Sequence, residues 1–244
     1  MRPSHRLLLE KLAVAAAVTL ACGAMFVAVE HLNADRAAAG GSYVQLETWI
    51  DGYIPFWPSF AYAYYLYYLW VLLIVPAVAR RHQFYHAVAA VCVVQGISMA
   101  AYVLFPSHMV QPAVTGHALH DELVRAMFRA DKGFNVMPSL HVGHSTLVAA
   151  FYAAYCRKWF PVIATGTLLI ILSTVLIKQH YFIDLPAGFA LAVAAFYATA
   201  PLARFVQRRG APSGGQGNCA APAPAKPRVE PRSTEGVQQR AHRV

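Results

Sequence analysis

Charge is scarce in this sequence. Only 13% of the 244 residues are Asp, Glu, Lys or Arg, about half the ~25% of an ordinary soluble domain. That deficit excludes a chain whose helices all meet water, and with 58% hydrophobic residues it points most of the chain into a bilayer. Acids are scarcer still, 11 against 20 Lys and Arg, giving a formal net charge of +9. The cations gather in short clusters between apolar runs and near the C-terminus, a pattern against a nucleic-acid groove. Cysteine is limited to Cys22, Cys92, Cys156 and Cys219, without the paired spacing of a disulfide framework or zinc site. The sequence has no Gly-rich nucleotide loop and no internal repeat, which argues against an ATP-driven machine.

Apolar sequence is plentiful. Runs over 12–29, 59–79, 84–105, 139–156, 159–177 and 183–203 each approach the ~20 residues that cross a bilayer as helix. They predict an all-α, integral membrane bundle of six transmembrane helices within residues 1–204. The first run follows Arg2, Arg6 and Lys11 as a secretory signal would, but its length favours a retained span. Arg80 with Arg81 and Arg157 with Lys158 mark two tight basic turns, whereas 30–58 and 106–138 are long. The positive-inside rule then predicts cytoplasmic termini and long loops outside, in the periplasm if the membrane is a bacterial inner one. Trp49, Tyr53, Trp57, Tyr62, Tyr64 and Tyr65 suit an aromatic belt at the outer start of the second span. Residues 205–244 turn to Gly, Pro, Ala, Gln and Arg, a composition expected to form a disordered, basic cytoplasmic tail. Contact with anionic lipid headgroups and plain solvation both remain open for that tail.

Ionisable residues at membrane depth are costly, so the few at span ends are the first functional candidates. Two segments stand out, Asn135-Val136-Met137-Pro138-Ser139-Leu140-His141-Val142-Gly143-His144-Ser145 and Lys178-Gln179-His180-Tyr181-Phe182-Ile183-Asp184. Pro138 with Ser139 marks a helix start. His141 and His144, three apart, share a helical face, and His180 and Asp184 share another if their segment is helical. Both segments lie on the outer side, where two helix N-termini favour an anion, phosphate above all. Lys178, Lys132, Arg125 and Arg129 are nearby cations. A carboxylate beside a histidine holds one tautomer and frees the other nitrogen to attack, making His180 with Asp184 a candidate nucleophile. His141 is placed to protonate the leaving oxygen and deprotonate the entering one. The same side chains also suit zinc or iron ligation, and Lys178 suits a snorkelling role. His86, His108, His117 and His120 are taken as packing residues.

These two segments resemble the type 2 phosphatidic acid phosphatase superfamily, which includes lipid phosphatases, inositol phosphorylceramide synthase-like transferases and vanadium haloperoxidases. Pro138, Ser139 and His141 match its Pro-Ser-Gly-His motif, with Leu140 in place of glycine, a form similar to the inositol phosphorylceramide synthase branch. Its Ser-Arg-x5-His-x3-Asp motif falls on Ser173, Thr174, His180 and Asp184, lacking only the arginine. The resemblance implies that His180 forms a phosphohistidine, Asp184 orients it, and His141 serves as acid and base. The family's first motif, a lysine followed by Arg-Pro, has no counterpart, since Phe105–Pro112 carries no Lys or Arg. Lys178 is therefore expected to be the main phosphate cation, with Lys132, Ser139 and His144 as further contacts.

The expected activity is that of a membrane lipid-phosphate phosphatase, a phosphoric ester hydrolase with a histidine nucleophile and neither metal nor other cofactor. Transfer of a phospho-headgroup to an alcohol is the first alternative, and a small transporter or non-catalytic membrane protein the second. The expected partners are a lipid phosphate and the bilayer, and no nucleic acid.

Overall fold

The computed structural model describes residues 3–210, with side chains for residues 7–205. The tail assigned to 205–244 falls outside the described residues from 211 onward, and its first six positions belong to the last helix. Among the described residues the fold is all-helical, with one isolated bridge between Val44 and Ser107. The helices are α1 (Pro3–Ala38), α2 (Ala61–Trp70), α3 (Ile74–Ala77), α4 (Arg81–Leu104), α5 (Leu119–Ala130), α6 (Leu140–Tyr155), α7 (Phe160–Leu176) and α8 (Asp184–Gly210).

Four stretches are long and apolar enough to cross a membrane, Leu7–Ala38, Pro58–Ala77, Arg81–Leu104 and Asp184–Phe205. The second is not one regular helix, because 3-10 turns at Pro58–Phe60 and Val71–Leu73 flank α2. At 16 and 17 residues, α6 and α7 rise only about 24 and 26 Å, short of a ~30 Å hydrocarbon core. The expected count of six spans is thus four by length, plus two shorter helices.

α6 is the axis of the bundle, packed against α2, α3, α4, α7 and α8. Every residue from Leu140 to Val148 is buried, as suits a helix enclosed on all sides. Lipid tails are as apolar as leucine, so close packing of small residues must supply the cohesion. Ala87, Ala90, Ala192 and Ala195 are buried in the α4 and α8 core. The Trp70 ring lies against Gly166, and its Nε1 donates to Thr167 Oγ1 at 3.0 Å. Thr167 Oγ1 in turn donates to the Ser145 carbonyl at 3.2 Å, tying α2, α7 and α6 together.

α1 packs against α4 with polar fastenings at both ends and an exposed apolar middle that includes Leu20. At one end Lys11 Nζ donates to the Val78 and Ala79 carbonyls at 2.8 and 2.6 Å, a cation at the carbonyl end of α3. Glu10 accepts there from Arg81 and Tyr85. At the other end Asn33 Nδ2 donates to the Tyr102 carbonyl at 3.0 Å and Arg36 to the Val103 carbonyl at 2.8 Å. This second end carries the two motif segments. The loop over 39–57 straps across it through Val44 N–H to Pro106 O and Trp57 N–H to Leu176 O.

α5 lies inside the segment expected to be a long loop. Asp121 Oδ2 accepts from the Ala118 amide at 2.9 Å and caps its start. Asp121, Val124 and Met127, three apart, turn its buried face inward.

Candidate active site

The Pro-Ser-Leu-His segment is held before its helix begins. Asn135 Nδ2 donates to the Phe26 carbonyl at 3.1 Å and Tyr102 Oη to the Pro138 carbonyl at 2.6 Å. Ser139 is the N-cap of α6, its Oγ accepting from the Val142 amide at 3.3 Å. His141 follows in the first turn.

The second segment is a turn, not a helix. α7 ends at Leu176, Lys178 takes a left-handed φ of 56°, and α8 begins only at Asp184. The Thr174 carbonyl accepts from the Gln179 and His180 amides at 2.9 and 3.2 Å, so the chain reverses onto the end of α7. Thr174 itself, where the resembled motif has arginine, is fully buried with its hydroxyl on the Ile171 carbonyl. His180 and Asp184 meet without a shared helical face: Nδ1 lies 3.3 Å from Asp184 Oδ2, which also accepts from the Tyr181 amide at 2.8 Å.

A close helix crossing joins the two segments. Ser139 N–H points to the Asp184 carbonyl at 3.4 Å, and a Cβ on Gly188 would sit 2.5 Å from the Ser139 carbonyl oxygen. Only glycine lets α6 and α8 approach this far. Both helices therefore present their N-termini at one place, where amides and dipoles favour an anion.

At that crossing the His141 and His180 rings face each other with centroids 5.6 Å apart at 64°. Both side chains are nearly closed to solvent, and Asp184 is fully buried. With Nδ1 engaged by Asp184, His180 keeps Nε2 without a protein hydrogen bond among the described residues. Neither ring nitrogen of His141, nor Asp184 Oδ1, has a hydrogen-bond partner among them. Buried polar atoms are rarely left this way, which makes these groups the candidates for pairing with a ligand's polar atoms.

Of the residues expected around the phosphate, Ser139 lies at the crossing and the others are dispersed. Lys178 Nζ donates to the Asp51 and Ile54 carbonyls at 3.0 and 2.6 Å and fastens the 39–57 loop. The helical continuation that would have put it on the Thr174 face is absent. Lys132 is exposed, and its backbone amide donates to Glu30 Oε1 at 2.7 Å. His144 is buried, with Nδ1 2.8 Å from Tyr67 Oη. Arg36 and Arg125 are also engaged, Arg125 with Glu122 and the Gly116 carbonyl.

Sequence reasoning missed the rings beside His141. Tyr64 lies 4.5 Å and Tyr67 4.3 Å from it, centroid to centroid. Tyr64, assigned to the aromatic belt, turns inward and is 1% exposed, whereas Trp49, Tyr53, Trp57 and Tyr62 are exposed. The spacing in Tyr64-Tyr-Leu-Tyr67, whose first and last tyrosines lie three apart on a helix, was the available signal. Asp131, half-buried at the end of α5, is a further acid near His180. Burial raises its carboxyl above the ordinary value, partly offset by the Gly133 amide and then by His180. A cavity of about 410 Å³ beside the Lys178–Asp184 turn is lined by Glu47, Asp51, Phe56, Met109, Val110, Pro112, Lys178 and Tyr181. Among the described residues no group of three or more His, Cys, Asp or Glu side chains is arranged to hold a metal ion.

A family model described as the PAP2 superfamily matches residues 32–198. The chain belongs to the PAP2 superfamily. The match takes in both motif segments, the end of α1 and most of α8, which ties the paired histidines to a family with phosphatase or phosphotransferase-type activity. No curated protein and no solved structure matches the chain. As a PAP2 superfamily member the chain acts on a phosphate ester, and its apolar helices fit a membrane protein.

Proposed function

We propose that the protein cleaves the phosphate ester of a membrane lipid through a phosphohistidine on His180. The observation that carries this reading is the facing pair: His180 braced by Asp184, with His141 opposite and both of its nitrogens unpartnered. Asp184 accepts a hydrogen bond from Nδ1–H, so the lone pair on Nε2 attacks phosphorus. The ester oxygen leaves with a proton from His141. A water then supplies His141 with a new proton while its oxygen attacks the phosphohistidine and the P–N bond breaks, releasing phosphate and free His180. The converging N-termini of α6 and α8, with Ser139 at the first, stabilise charge on the phosphoryl oxygens. Lys178 and Lys132 add longer-range positive potential.

The setting is a six-span bundle in which α6 and α7 cross with the four long helices. α6 is enclosed by its neighbours, so its length need not match the lipid thickness. The basic turns at 80–81 and 157–158 lie at the end opposite the histidines, which favours cytoplasmic termini and a site opening to the periplasmic side of a bacterial inner membrane. A lipid substrate is favoured because its phosphate reaches this depth without leaving the bilayer.

One observation favours a second reading, transfer of a phospho-headgroup from a phosphodiester to an alcohol, as in inositol phosphorylceramide synthase-like enzymes. Arg36, Arg125 and Lys178 are all engaged by backbone carbonyls. Few cations remain for a monoester's second negative charge, whereas a diester carries only one. The cavity beside the catalytic turn would then admit the acceptor.

The test is a screen of purified protein in lipid nanodiscs against lipid phosphomonoesters and phosphodiesters, with and without alcohol acceptors, following the released headgroup. Turnover should fall to background in His180→Ala and persist in chelator. Turnover that survives His180→Ala would overturn the nucleophile, and strong chelator inhibition would favour a metal.

A further inference from the structure

The proposed chemistry leaves His144 unused, although this imidazole is buried one helical turn from the acid-base histidine. It also leaves open what orients His141. An acid-base imidazole is ordinarily set by a hydrogen bond on its far nitrogen, as Asp184 does for His180. His141 has no such bond on either nitrogen. What touches its ring is aromatic, Tyr64 at 4.5 Å and 35°, and Tyr67 at 4.3 Å and 50°. Tyr67 is itself fixed from behind, its hydroxyl 2.8 Å from His144 Nδ1 and its ring within 9° of parallel to that imidazole.

We propose that Tyr67 and His144 are positioning residues that hold the His141 imidazole against His180 by ring packing, and that His144 does not contact the phosphate. This rests on the phosphohistidine reading above. α2 is ten residues long and followed directly by a 3-10 turn, so helix rigidity alone does not fix its rotation about its own axis. The hydroxyl of Tyr67 on His144 registers α2 against α6, and that register places the tyrosine ring on His141. The arrangement orients the imidazole without occupying either nitrogen, so the one facing the ester oxygen stays free to pass the proton.

A double-mutant cycle on turnover tests it, using the lipid ester with the highest rate in the screen. Tyr67→Phe keeps the ring and loses the anchor, and His144→Leu loses the anchor from the other side. Each is expected to lower kcat about 10-fold with KM within about twofold, and the double variant no further, because both remove one interaction. Tyr67→Leu, which removes the ring, should cost about 100-fold in kcat at unchanged KM. His144→Asn, whose amide can still pair with the tyrosine hydroxyl, should recover most of the loss. The inference is overturned if His144→Leu raises KM, if the two single effects add, or if His144→Asn is as poor as His144→Leu. Thermal midpoints within a few degrees of the parent, checked for each variant, separate lost positioning from lost folding; if His144→Leu misfolds, His144→Phe, which also lacks a partner for the tyrosine hydroxyl, takes its place in the cycle. His180→Ala run alongside separates the two levels: turnover surviving in it sinks the phosphohistidine reading, whereas its loss beside wild-type rates in the Tyr67 and His144 variants sinks only the positioning pair.

Discussion

Gly188→Ala adds one methyl group at the place where α6 and α8 touch. The new Cβ would lie 2.5 Å from the Ser139 carbonyl oxygen, 3.1 Å from Val142 Cβ and 3.4 Å from the Gly143 amide nitrogen. Ordinary contact begins near 3.4 Å, so the helices must part by about 0.9 Å at this point. The nearest obstacle is backbone, which cannot rotate away as a side chain would. Overpacking of this kind costs about 1–3 kcal/mol. The catalytic cost is larger in proportion, because Ser139 is two residues from His141 and Gly188 four from Asp184. A misplacement near 1 Å between reacting groups lowers rates about 10²-fold, so kcat should fall by about that factor while the protein stays folded. Gly143→Ala is the internal comparison. Its Cβ would meet the Val94 Cγ1 methyl at 2.9 Å, a side-chain atom that can yield, so its loss should be smaller. The assay is headgroup release in nanodiscs, with thermal midpoints on the same samples. Wild-type kcat in Gly188→Ala, or a larger loss in Gly143→Ala, would refute the claim that this crossing sets the distance between the histidines.

Two further outcomes follow from the site. Asp184→Asn removes the acceptor for His180 Nδ1 and should lower kcat on the order of 10⁴-fold, the scale of a lost tautomer-fixing carboxylate; a loss under tenfold would show that Asp184 does not set the His180 tautomer. Asp131→Asn tests an electrostatic cost. A carboxyl raised by burial binds its proton more tightly folded than unfolded, so its contribution to stability is full at low pH and falls as pH rises from the ordinary carboxylate value through the raised one. The asparagine Oδ1 can still accept from the Gly133 amide, now 2.9 Å from Asp131 Oδ1. Thermal midpoints should therefore be higher in the variant at pH 7 and converge with the parent towards about pH 4; a difference independent of pH would contradict the assignment.

The apolar runs located the helices because each must bury or immerse a whole surface, and the start of α6 was legible from Pro138 and Ser139. The His141, His180 and Asp184 grouping was drawn from residue type and motif resemblance, but the helical face expected to join His180 to Asp184 is absent and a turn brings them together instead. α5 was not legible, since a short amphipathic helix carries too few apolar residues to stand out from a loop, and its buried face includes an acid, Asp121. Lys178 departs from the expected helical face for a backbone reason: its left-handed φ ends the helical spacing that would have aimed its ammonium. Tyr64 and Tyr67 were hidden by composition, because tyrosines at a span end suit a membrane interface and only tertiary packing turns these two inward.

The glycine crossing divides the labour of this end of the molecule. The proposed reacting groups sit on, or in the turn just before, two helices locked backbone to backbone, while the 39–57 strap and the chain over 105–118 are tied down by a handful of main-chain bonds and pocket side chains. Loop sequence can change without disturbing such a scaffold. Exchanging those outer stretches for foreign ones should then redirect which molecules are accepted and leave the rate-setting step as it was, which makes them the natural place to begin re-engineering.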